Sequence, residues 1–307
     1  MTKLKASSVA KGILRRVIHP AHLAKAANLH RQRKANRRNF DDLQLKLYSE
    51  ILPEGFLHYG YFDDVDICPR DITFNDLIAA QRRYAELLVE HITDDAAPVL
   101  DVGCGMGGLC RILLDRGLQP VALTPDRMQA RHVQSLYPTV PVIHAKFENI
   151  PIDEHRARYG TVITAESFQY LHLDKTMLLL RAVLKPGGRW IVCDYFKRSL
   201  SDDRTCHELR GFEQRLQQDG WRVIEQRDIT ANVLPTLRFI HMWASRFGLP
   251  LMEFALLRLR KKQPAIHYIL EDALSQLKIF IGENMKLIDP AEFAQRRQYM
   301  FMVMERE

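Results

Sequence analysis

Asp101, Gly103, Gly105, Gly107 and Gly108 carry the densest chemical signal in this chain. They follow the apolar run Val99-Leu100-Asp101-Val102 and precede the amphipathic Leu109-Cys110-Arg111-Ile112-Leu113-Leu114. The pattern predicts a buried strand, a turn too tight for side chains, and a helix whose N-terminus faces a ligand. Glycine lets the backbone take positive φ and lets a ligand lie against it. The order is Asp-x-Gly-x-Gly-x-Gly-Gly, whereas a dinucleotide site needs G-x-G-x-x-G to pack its helix below a pyrophosphate. A pyrophosphate disfavours a carboxylate two residues before the first glycine; a cationic or hydrogen-bond-donating group tolerates one. Downstream, Thr124 and Gln129 bracket the start of a helical pattern, with helix capping as the bland role for Thr124. Acid–base chemistry is available at Glu166, His172, His58 and His241. No His/Asp cluster has metal-ligand spacing, so no metal is expected.

The elements that must position these groups read in order. Pro120–Thr124 is a second strand, followed by a helix from Pro125-Asp126-Arg127-Met128-Gln129. Val140–His144 is a third strand, Tyr159–Ala165 a fourth that delivers Glu166-Ser167 to its exit loop, and Leu184-Lys185-Pro186-Gly187-Gly188 turns into a fifth ending near Asp194. In open α/β sheets ligands bind at the carboxyl ends of such strands. With the glycine turn, this order resembles the class I S-adenosylmethionine (SAM)-dependent methyltransferases. In most of them an acid ends the second strand and holds the ribose. Here Leu123-Thr124-Pro125-x-x-x-Gln129 stands instead, which is similar to the tocopherol and sterol methyltransferases and the cyclopropane fatty-acid synthases.

The resemblance implies a Rossmann-like α/β fold with a seven-stranded, mostly parallel sheet and SAM as cofactor. It implies that Asp101, Gly103, Gly105 and Gly107 line the cofactor, that Thr124 and Gln129 bond the ribose, and that Phe147 and Glu148 meet the adenine. Lys146 replaces the usual acid of that last loop. The Tyr-rich segment Leu57-His58-Tyr59-Gly60-Tyr61-Phe62 matches one that closes over SAM in this family, where a tyrosine hydroxyl reaches the methionine carboxylate. Tyr59 and Tyr61 are both candidates for that contact, or they pack the first helix on the sheet. Glu166 is read as both cofactor-binding and catalytic, with His172 as the second catalytic candidate. The Tyr-rich segment lacks the cysteine that cyclopropane synthases place there, which favours simple methyl transfer to N, O or activated C.

The 307 residues exceed one average domain. The expected organisation is a basic helical arm (1–40), an N-terminal lid segment (41–74), a SAM-binding core (75–229), a helical cap (230–296) and a final core strand (297–307) pairing with Trp221–Glu225. Eleven Lys or Arg and no acid fall in residues 1–40, although the whole chain is only +7. The basic character thus belongs to the arm, with Val9, Ile13, Leu14, Val17 and Ile18 at helical spacing beside Lys11, Arg15 and Arg16. Such an arm suits an anionic membrane surface, or it is solvated or packed on the core. Nucleic acid is disfavoured because no aromatic residue precedes Phe40. The apolar, Met-rich stretch after Leu234 suits a pocket for a greasy acceptor; core packing or a dimer interface are the alternatives. Five cysteines without C-x-x-C pairing, no signal peptide and no apolar run of transmembrane length predict a cytoplasmic protein, peripherally membrane-associated if the arm binds lipid. The leading expectation is methyl transfer to a small, apolar acceptor such as a lipid or isoprenoid. An RNA methyltransferase gripping phosphates with its arm, and a catalytically silent partner subunit, are the rivals.

Overall fold

The computed structural model describes residues 19–35, 47, 50–52, 54–198 and 206–306. They divide into two compact units, one built from Leu47–Met242 with Leu287–Glu307, the other from Met1–Lys46 with Trp243–Lys286. The first holds a seven-stranded sheet in the order β3-β2-β1-β4-β5-β7-β6. Its strands are β1 (Val99–Val102), β2 (Pro120–Thr124), β3 (Val142–His144), β4 (Tyr159–Ala165), β5 (Leu184–Lys197), β6 (Trp221–Asp228) and β7 (Arg297–Arg306). β1 to β5 pair in parallel, and β7 inserts antiparallel between β5 and β6. The expected mostly parallel, Rossmann-like sheet is present, with the final strand paired to β6.

Both faces of the sheet are covered, so its strands read as nearly continuous apolar runs. In β7 the two-residue period sends Met300, Met302 and Met304 into one core with Leu100, Val121, Trp190 and Phe212. Tyr299, Phe301 and Val303 enter the opposite core with Val99, Ile163, Tyr84 and Leu88. Several polar tips in these cores find partners, although the buried Trp221 Nε1 has none. Trp190 Nε1 donates to Thr164 Oγ1 at 3.0 Å, and Tyr159 OH lies 2.6 Å from His155 Nδ1.

The 20–35 stretch of the arm is a helix, α1 (Pro20–Ala35); the remainder of residues 1–40, and most of 41–50, lie outside the described residues. Helix α2 (Phe74–Val89) starts at a capping box in which Thr73 and Asp76 bond each other's backbone N–H. Helices α3 (Gly108–Asp115) and α4 (Arg127–Leu136) follow β1 and β2, and the short α5 (Ile152–His155) precedes β4. Helices α6 (Leu173–Val183) and α7 (Leu209–Gln218) flank β5 in sequence. Between β6 and β7 the chain is helical: α8 (Thr230–Trp243), a π-turn at Ala244–Gly248, α9 (Leu249–Lys262), α10 (Pro264–Ile269), α11 (Glu271–Leu287) and α12 (Pro290–Arg296). Within the second unit Ile266 is the one described residue that is buried. No helix among the described residues is long and apolar enough to cross a membrane.

Candidate active site

The carboxyl ends of β1, β2, β4 and β5 open onto a cavity of about 640 Å³. Asp101, Gly103, Cys104 and Gly105 line one side, with Thr124, Asp126 and Gln129 beyond them. Leu57, His58, Tyr59, Glu166, Gln169, Tyr170 and Tyr195 line the other. An adjoining cavity of about 220 Å³ shares Gly103, Pro125, Ser167 and Tyr170 with it, and adds Val102, Leu123, Lys146, Phe147, Glu148 and Leu171.

The glycine turn does two separate jobs. Gly103 has φ +83° and faces the cavity; a Cβ there would stand 2.5 Å from Ser167 Cβ. Ser167 Oγ holds this crossing together by donating to Val102 O at 2.5 Å. Gly107, at φ +86°, is the residue before α3 and is buried. It lines neither cavity, and a Cβ there would meet the ring of Tyr137 at 3.0 Å and Val133 at 3.2 Å. Gly107 thus lets α4 pack close to the turn.

At the end of β2, Thr124 Oγ1 donates to Gln129 Oε1 at 2.7 Å and accepts from Asp126 N–H at 3.1 Å. The cap of α4 is Asp126, whose Oδ1 accepts from Met128 N and Gln129 N. Asp126 also lines the cavity, a residue the sequence reading passed over although an Asp three residues before Gln129 is a readable cap signal. Phe147, almost wholly buried in the core, also borders the smaller cavity, and Glu148 Oε1 accepts from His172 N–H at 3.1 Å.

The Tyr-rich segment is clamped from both sides. Gln81, buried on α2, donates from Nε2 to His58 O at 2.8 Å. Gly60 N–H donates to Thr236 Oγ1 at 3.0 Å, and Tyr61 N–H donates to Ala80 O at 2.8 Å. These bonds turn Tyr61 away from the cavity, where Arg83 lies 5.9 Å over its ring. Of the two candidates, Tyr59 lines the cavity, while Tyr61 packs partly buried against the core. His58 stacks on Tyr84 with ring centroids 4.1 Å apart; its Nδ1 lies 2.7 Å from Tyr59 O. Its Nε2 is shielded and has no hydrogen-bond partner. Burial pushes its pKa down to about 4, so the imidazole is neutral at physiological pH.

Glu166 is the most constrained acid of the site. Its backbone sits at φ +51°, uncommon for a residue with a Cβ. Oε1 accepts from Tyr59 N–H at 2.8 Å and from Tyr299 O–H at 2.7 Å. Tyr299 OH in turn lies 2.9 Å from Tyr84 OH, and Tyr84 OH donates to Cys193 O at 2.9 Å. Burial pushes the Glu166 pKa up to about 7, against the two hydrogen bonds, which pull it down. Asp101, 3% exposed, is likewise raised to about 7 by burial, with Cys110 Sγ 3.9 Å away. Asp194 is fully buried at the end of β5 and accepts from Gln169 N–H and Tyr195 N–H; burial again dominates and lifts it to about 8. Two carboxyls with raised pKa, Asp101 and Glu166, line one cavity, and Asp194 lies buried behind it; such a grouping points to a functional site.

His172 does not join them. It is exposed at the N-cap position of α6 and lines neither cavity, because the bend at Phe168–Tyr170 carries the chain away before it is reached. His241, on α8, also stays off the lining. Tyr299, Tyr84 and Asp194 were not singled out from sequence. A tyrosine opening an otherwise apolar strand was the available signal, since a buried phenol needs a partner. Among the described residues no group of three His, Cys, Asp or Glu side chains is placed to hold a metal ion.

The donor set fits SAM. Buried acids suit its ammonium and sulfonium, the Thr124–Gln129 pair suits ribose hydroxyls, and Gly103 and Gly105 put backbone without side chains on the lining. Residues 99–188 match the family described as "Methyltransferase domain". An O-methyltransferase, resE, of Aspergillus sclerotiorum is 26% identical over 222 residues, covering 63% of this chain and 80% of that protein. The 2-methyl-6-phytyl-1,4-hydroquinone methyltransferase of Synechocystis is 30% identical over 159 residues, 48% of this chain and 46% of its own length. The solved geranyl diphosphate C-methyltransferase of Streptomyces coelicolor superposes with a TM-score of 0.63 at 16% identity, covering 86% of this chain and 92% of that one.

Proposed function

This chain is a class I SAM-dependent methyltransferase acting on small molecules, and from that premise we propose that its acceptor is apolar, a lipid, isoprenoid or related metabolite methylated at N, O or an activated carbon. The observation that carries the reading is the Glu166 side of the large cavity. There one raised carboxyl is held between Tyr59 and Tyr299, beside the exposed ring of Tyr170 and the ring of Tyr195. An aromatic wall with a single tunable acid suits an acceptor that is mostly hydrocarbon and carries one ionisable hydroxyl, amine or acidic C–H. The phytyl hydroquinone in the name of the Synechocystis relative is an acceptor of that kind.

Asp101, Gly103, Gly105, Thr124 and Gln129 would hold the cofactor, with Phe147 and Glu148 at its adenine and Tyr59 near its amino-acid end. When bound, SAM supplies an electrophilic methyl group on a sulfonium. The protein's contribution is alignment, which holds acceptor atom, methyl and sulfur in line and can supply several of the roughly 7–11 kcal/mol available from positioning. Glu166 takes the acceptor's proton at its carboxylate, with Tyr299 fixing its orientation through Oε1. Asp194 holds the Gln169–Tyr170 turn by its backbone. The five cysteines are all free thiols, which suits a reducing cytoplasmic setting. The basic arm, residues 1–40, is proposed to add peripheral membrane contact.

The test is transfer of labelled methyl from SAM to a panel of prenylated phenols, quinols and sterols, against polar amines and unmodified RNA as controls. Label in the lipophilic acceptors, reduced at least a hundredfold in Glu166→Gln with SAM affinity retained, supports the reading. Label entering RNA or the polar amines alone overturns it.

A further inference from the structure

A helix that should bury its apolar residues leaves them outside. In α9 the half-buried positions Leu249, Met252, Leu256 and Leu259 recur at three- and four-residue spacing and mark the inward face. The opposite face carries Phe247, Leu251, Phe254 and Leu257, at spacings of four, three and three, and each is more than half exposed. Trp243, one turn earlier, stacks on Phe247 with ring centroids 4.6 Å apart and is itself 42% exposed. A monomer seldom presents so many large apolar side chains in one row without a partner.

Charge says which partner. The same face runs on into Arg258, Lys261 and Lys262, and Phe254, Leu257, Arg258, Lys261 and Lys262 line one shallow depression together. Between Trp243 and Lys262 the chain has five Arg or Lys and a single acid, Glu253. A second copy docked isologously would bring these cations against the same cation-rich patch. An anionic bilayer instead offers acyl chains to the apolar row, phosphates to the basic end, and an interfacial level at which tryptophan is favoured. The 14-residue α9 is too short to span a bilayer and long enough, at about 21 Å, to lie in its surface. We propose that α9, with Trp243 and Phe247 ahead of it, is an interfacial element that seats the protein on an anionic lipid surface. The inference uses neither the arm at residues 1–40 nor the identity of the methyl acceptor.

The experiment uses the full chain with vesicles of phosphatidylcholine alone or mixed with phosphatidylglycerol, a fraction of the phosphatidylcholine being brominated. Trp190 and Trp221 are buried in the sheet core, so bromine quenching reports on Trp243. Expected are co-sedimentation with the anionic vesicles, tryptophan quenching that disappears in Trp243→Phe, and at least a tenfold loss of partitioning in Phe254→Ser/Leu257→Ser. The exposed pair Lys261→Glu/Lys262→Glu, which removes no packing, is expected to lose about as much, and SAM affinity is expected to stay unchanged in all variants. Equal partitioning of the wild type and both double variants overturns the proposal. So does vesicle binding without quenching, or a dimer in solution that the Phe254/Leu257 variant dissolves.

Discussion

The sheet unit and the helical segment from Trp243 to Lys286 treat the same kinds of residue in opposite ways. In the sheet unit Leu88, Phe212, Trp190 and Met302 are sealed inside, and even the buried hydroxyls of Tyr84, Tyr159 and Tyr299 have partners. In the helical segment Leu251, Phe254, Leu257, Tyr268 and Phe280 are more than half exposed, and no residue of α9 or α11 is fully buried. Apolar content therefore has different meanings in the two places. In the sheet unit it is the free energy that holds the site's carboxyls in a dry setting; in the helices it is surface waiting for a partner.

The contrast is sharpest at the Gly103 crossing. Gly103→Ala forces a Cβ against Ser167 at a positive φ, and is expected to cost about 1–3 kcal/mol of strain together with at least a hundredfold in SAM affinity, read by thermal unfolding and calorimetric titration. Next is a matched pair of truncations. Leu88→Ala should destabilise by about 2–5 kcal/mol, while Leu257→Ala should stay within about 0.5 kcal/mol. Equal losses in chemical denaturation would erase the distinction between the two regions.

The carboxyls supply a pH-dependent test. Folded pKa values raised to about 7 for Glu166 and Asp101 and about 8 for Asp194 mean that the folded protein holds more protons than the unfolded chain between about pH 4 and 8. Their contribution to stability is fully present below the unfolded carboxylate pKa and is lost as pH rises through 7 to 8. Ligand-free stability should fall across that window, with a shallower fall in Asp101→Asn. A base at Glu166 also predicts that kcat/KM rises about tenfold per pH unit up to about 7 and then levels. Smallest of all, His172→Ala should leave activity within twofold, since the ring is exposed and lines neither cavity.

Local chemistry was legible and long-range closure was not. The limits of β2, the glycine turn and the Thr124–Gln129 spacing depend on residues a few positions apart, and the structure brings Thr124 and Gln129 into direct contact. That His172 lies off both linings was not legible, because a histidine six residues past Glu166 says nothing about the turn between them. Tyr61 and Tyr59 could not be separated, because the bonds that orient them come from Ala80, Thr236 and Glu166. Tyr299, 133 residues from Glu166 in sequence, meets it only because β7 inserts beside β5. Gly107 shows the same limit in reverse: its place in the motif is local, but its job is set by Tyr137.

The row Cys193 O, Tyr84 OH, Tyr299 OH, Glu166 Oε1 contains three close oxygen–oxygen contacts. Each contact needs one hydrogen, and the two phenols own two. Tyr299 donates to Glu166 and Tyr84 donates to Cys193 O, so the Tyr84–Tyr299 contact between them is left without a hydrogen of its own. The Tyr59 and Tyr299 bonds favour the carboxylate and burial favours the neutral acid, and burial wins. A cation arriving in the cavity reverses the preference by stabilising the carboxylate, so cofactor entry would itself release the proton and leave the base ready for the acceptor.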